Sequence, residues 1–86
     1  MIEKKSKIEN YIKKLIFKKH IPKNYLKINL FKFDNLDSLA LFKMILKIES
    51  KYKIKVKDKD LFSEKFKSVK NIIKFIEKEL KSKKKQ

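Results

Sequence analysis

The stretch Asn35-Leu36-Asp37-Ser38-Leu39-Ala40-Leu41-Phe42-Lys43-Met44-Ile45-Leu46-Lys47-Ile48-Glu49-Ser50-Lys51-Tyr52 decides how this chain is read. A polar, turn-forming start gives way to a long apolar run with no Gly or Pro, which is a loop passing into a helix. The helix is predicted to begin at Asp37 or Ser38 and to end near Tyr52. Asp37 is suited to cap it, since its carboxylate can accept the first backbone N–H groups, which have no partner inside the helix. Ser38 then falls in the first turn, where those N–H groups and the helix dipole favour an anion. Leu39, Phe42, Ile45, Leu46 and Tyr52 form a wide apolar arc, extended by Leu41 and Ile48. Lys43, Lys47 and Lys51 recur every four residues as a basic stripe beside it. Met44 falls off the arc, as a surface contact near Ser38 or simply an exposed apolar residue. On Asp37, Ser38 and Leu39 alone, an ordinary Asp/Ser helix start is the better reading by a wide margin.

Working outward, Ile8, Ile12, Leu15 and Ile16 mark one face of a helix running from about Ile2 or Ser6 to Lys19. Ser6 with Glu9 is a candidate capping box, and Pro22 ends the segment. Residues 21–36 show no period. Their apolar residues, Tyr25, Leu26, Ile28, Leu30, Phe31, Phe33 and Leu36, are too many for a solvated linker, so a long ordered loop packed on the helices is expected. Downstream, Ile54 and Val56 alternate with lysines as an extended link. Asp58 to Ser63 reads as one short helical turn with Leu61 and Phe62 inward. Ser68 is a candidate cap for a last helix whose buried stripe is Val69, Ile72, Ile73, Ile76 and Leu80. Residues 81–86 read as a Lys-rich frayed tail following a single domain over 1–80.

Composition narrows the function. The chain has 86 residues, of which 42% are hydrophobic, enough for one small core and too many for a disordered basic tail. There is no Cys and a single His20, so neither a disulfide framework nor a zinc ligand set is available. His20 reads as a surface residue at a helix end. No segment is long and apolar enough to span a bilayer, and the N-terminus lacks a signal-type apolar region. A cytoplasmic monomer is expected.

The 26 basic residues, all lysines, oppose 10 acidic ones for a net charge of +16. Without Arg there is no bidentate reader of phosphate or guanine, which argues against nucleic acid as the partner. Heavy use of Lys, Ile, Asn and Phe also follows from a compositional bias. The aromatics Phe31, Phe33, Phe42, Phe62, Phe66 and Phe75 are expected in the core rather than on a base-stacking platform.

Asp37-Ser38-Leu39 at a helix start resembles the attachment motif Gly-x-Asp-Ser-Leu of the acyl carrier protein family. The similarity continues through Phe42, Ile45, Glu49, Tyr52, Ile54, Val56, Asp58 and Asp60, then Leu61-Phe62-Ser63-Glu64-Lys65-Phe66-Lys67-Ser68-Val69, Ile72, Ile73 and Ile76. It covers about Ile8 to Leu80. The resemblance implies an all-α four-helix bundle with a long first loop and a short third helix. It implies a carrier that is not an enzyme, with 4'-phosphopantetheine on Ser38, flanked by Asp37 and Leu39, holding acyl or aminoacyl groups as thioesters for fatty acid or specialised metabolite biosynthesis. Its partners would be a phosphopantetheinyl transferase and acyl-loading and acyl-transfer enzymes.

Two departures stand out. Asn35 replaces the motif's Gly, and Asn tolerates left-handed backbone better than most residues. The second helix, acidic in typical fatty-acid carriers, here sets Lys43, Lys47 and Lys51 against Asp37 and Glu49. This points to a specialised stand-alone carrier whose docking residues are Lys43, Met44, Lys47 and Lys51. The alternative is a small basic helical module that binds nucleic acid or an acidic protein surface.

Overall fold

A computed structural model describes residues 5–17, 20–32, 37–61 and 63–84. They are all-helical: α1 (Lys5–Ile16), α2 (Ser38–Tyr52) and α3 (Val69–Lys84), joined by single 3-10 turns at Leu30–Lys32, Asp58–Asp60 and Glu64–Phe66. Phe33, Asn35, Leu36 and Phe62, and the start Ile2 expected for the first helix, lie outside the described residues; so does Lys19, its expected end, but α1 already ends at Ile16, with Phe17 beyond it.

Helices α1 and α3 pack together. The core joins Ile8, Ile12, Ile16 and Phe17 to Leu41, Met44, Ile45, Ile48 and Tyr52, and to Val69, Ile72, Ile73, Phe75 and Ile76. Leu15 and Leu80 are partly buried against it. Ser6 is inside α1 rather than ahead of it, so it does not cap that start. Glu9 turns instead to the loop, where its carboxylate accepts the phenol of Tyr25. That hydrogen bond first, then burial and the charge of Glu9, raise the Tyr25 pKa above its ordinary value.

The long loop is ordered in its described part because it serves α3. The Leu26 carbonyl accepts the Lys70 N–H at 3.2 Å, one of the first-turn donors a helix cannot satisfy itself. Ser68 Oγ accepts Asn71 N–H at 3.2 Å, as its capping role requires. Leu30, fully buried, donates its N–H to the Lys67 carbonyl at 2.7 Å.

Between α2 and α3 the chain makes two 3-10 turns in place of one short α-helix. The first closes on the Asp60 N–H donating to the Lys57 carbonyl at 2.9 Å; in the second, Ser63 Oγ accepts Lys65 N–H, and Asn71 Nδ2 of α3 donates to the Glu64 carbonyl at 2.8 Å. The buried carboxylate of Asp60 pairs with Lys65 at 3.2 Å. Helix α3 continues through Lys84, into the segment expected to fray. No described helix is long and apolar enough to cross a membrane.

Candidate functional site

Asp37 adopts extended backbone (φ −81°, ψ −178°), and its Oδ1 accepts the Ala40 N–H at 2.8 Å. The helix therefore starts where the sequence places it, with Ser38 as its first residue. Asp37, Ser38 and Leu39 are all exposed. A group on the Ser38 hydroxyl would lie at the positive end of a fifteen-residue helix.

The far end of α2 is fixed by Glu49 and Lys53. Lys53 is left-handed (φ 57°, ψ 44°), and its N–H and that of Ile54 both reach the Glu49 carbonyl. The Lys53 bond is that of an αL cap, and the Ile54 bond reaches one residue further to the same carbonyl, with buried Ile54 beyond the turn and buried Ile48 inside it.

The orientation of α2 differs from the sequence expectation. Its buried face is Leu41, Met44, Ile45, Ile48 and Tyr52. Leu39, Phe42 and Leu46, expected inside, are 61%, 48% and 48% exposed. Met44, expected near the surface, is only 4% exposed and cannot be a docking residue. The reason is that α2 carries apolar residues nearly all the way round, so periodicity allowed two rotations. Tyr52, common to both rotations, meets the Tyr11 ring of α1 edge-on at 5.8 Å. Of the aromatics expected in the core, Phe66 and Phe75 are buried, whereas Phe31 and Phe42 are exposed.

Lys43, Lys47 and Lys51 are all exposed. The Lys51 ammonium also lies 4.7 Å over the Tyr11 ring and 5.8 Å from that of Tyr52, on the seam with α1.

His20 is exposed. Among the described residues no group of three or more acidic or His side chains is placed to hold a metal ion. No known protein family, curated protein or solved structure matches the chain.

Proposed function

We propose that this chain is a carrier of the acyl carrier type, modified on Ser38 by 4'-phosphopantetheine. The observation that carries the reading is the exposed Ser38 at the first position of α2, behind the Asp37 cap. The residues fit the group. The hydroxyl is open to a transferase, and the helix N-terminus favours the phosphodiester's negative charge. Asp37 satisfies the Ala40 N–H and closes the first turn, on which Ser38 sits. When attached, the arm supplies a terminal thiol that carries acyl or aminoacyl groups as thioesters.

In the attachment step Ser38 Oγ attacks the phosphorus of coenzyme A that bears the pantetheine. A new O–P bond forms, the P–O bond to adenosine 3',5'-bisphosphate breaks, and the hydroxyl proton passes to a base on the transferase. The chain itself catalyses nothing. Under this reading the two 3-10 turns between α2 and α3 correspond to the family's short third helix, and the whole to its four-helix bundle.

The test is mass spectrometry after incubation with coenzyme A and a broad-specificity phosphopantetheinyl transferase. Wild type should gain one phosphopantetheine, and Ser38→Ala none. A folded wild type that stays unmodified at high enzyme and long times overturns the reading and leaves the basic binding module in its place.

A further inference from the structure

Three of the five large apolar side chains exposed on the described surface, Leu39, Phe42 and Leu46, belong to one helix. At about 100° per residue they fall within about 60° of one another and about 140° from the middle of the buried face. They run about 10 Å along the axis. Round the helix, Ser38 and Glu49 border this row on one side, and Ser50, Lys43 and Lys47 on the other. The core does not use the row, since Leu41, Met44, Ile45, Ile48 and Tyr52 face inward.

We propose that this row is a docking face for an enzyme whose groove has an apolar floor and a rim of carboxylates opposite Lys43 and Lys47. The proposal rests on the carrier reading of Ser38 and names the kind of partner that reading requires. An enzyme that reaches a group on Ser38 must cover the adjoining turns of α2, where it meets Leu39, Phe42 and then Leu46. Desolvating such side chains gives affinity, while flanking charges govern encounter and reject wrong partners. A second copy of the chain is a poor occupant: each copy carries +16, and a two-fold contact over the row would bring both pairs of Lys43 and Lys47 together. Nucleic acid would pair with the lysines and leave the apolar row without a partner.

The experiment measures kcat/KM for arm attachment at Ser38 with two transferases: one with a basic docking rim, and the same enzyme with that rim changed to Glu. Both run over a salt series. Wild type should be modified at least tenfold faster by the acidic-rimmed enzyme at low salt, with the gap closing as salt rises. Lys43→Glu with Lys47→Glu should reverse the preference. Phe42→Ser with Leu46→Ser should raise KM for both enzymes with an unchanged circular dichroism spectrum.

Equal rates for wild type with both enzymes at every salt concentration, alongside complete modification at the endpoint, overturn the docking proposal and leave the carrier reading standing. No modification at the endpoint overturns both. Co-sedimentation with phosphatidylcholine–phosphatidylglycerol vesicles that is lost in Phe42→Ser with Leu46→Ser would assign the row to a lipid surface and also overturn it.

Discussion

The carboxylate of Glu49 accepts the backbone N–H of Val56 at 2.8 Å, across the turn that ends α2. The same residue's carbonyl takes the N–H groups of Lys53 and Ile54. One residue thus ties the end of the helix bearing Ser38 to the link that follows. Val56 is partly buried, so its N–H is poorly placed to find water instead. Glu49→Ala should lower the unfolding free energy by about 1–3 kcal/mol. Glu49→Gln, which keeps an acceptor oxygen, should lose less. Urea unfolding checks this as a shift in midpoint at constant slope. If Gln is as damaging as Ala, the side-chain oxygen is not holding the link.

Lys53 is the one non-glycine residue with positive φ among the described residues, in a chain that contains no glycine at all. A residue with a Cβ pays a steric penalty there that glycine does not. Lys53→Gly should stabilise the protein by about 1 kcal/mol, raising Tm by about 4–8 °C for a domain of this size. Lys53→Ile should move Tm the other way, because branching at Cβ worsens the clash. A lower Tm for the glycine variant would refute the capping account.

The Tyr25–Glu9 hydrogen bond makes a prediction with a definite sign. The Tyr25 pKa is raised in the folded state, by that bond before burial or the Glu9 charge. The protonated phenol is therefore the form that folding favours. Its contribution is fully present below the unfolded tyrosine pKa of about 10 and is lost as pH rises through the higher folded value. The stability difference between wild type and Tyr25→Phe should be constant near neutrality and shrink above about pH 10. Comparing the two chains cancels the lysine titration they share. A difference that is the same at pH 8 and pH 11 would remove the bond from the account of how the long loop is held.

How much of this was legible in the sequence depended on whether local chemistry or packing decided each feature. The Asp37 cap, the Ser68 cap and the limits of α2 were legible because capping is local and involves residues a few positions apart. The buried stripe of α3 was legible because lysines and Glu79 leave it a single apolar face. The rotation of α2 was not legible, since rows 39/42/46 and 41/45/48/52 are both apolar. A signal was nonetheless present: a chain of 86 residues cannot bury a helix on every side, so one row had to face outward. The placement of Lys51 over Tyr11, and the service of the Leu26 carbonyl to α3, depend on contacts between segments distant in sequence.

That ambiguity gives the sharpest stability test. Ile72 is fully buried between helices, and Phe42 is half exposed on the outer face of α2. From the sequence alone, truncation at either site is expected to be severe. The structure separates them. Ile72→Ala removes buried methyl and methylene groups and leaves a cavity, for about 2–5 kcal/mol, a large share of a small domain's stability. Phe42→Ala removes a ring that already faces solvent, so its loss should be about 1 kcal/mol or less. Met44→Ala should fall with Ile72, because Met44 is in the core. Thermal or urea unfolding of the three variants distinguishes the two rotations of α2. If Phe42→Ala unfolds the protein while Met44→Ala is tolerated, α2 is turned the other way, and the apolar row beside Ser38 is core rather than surface.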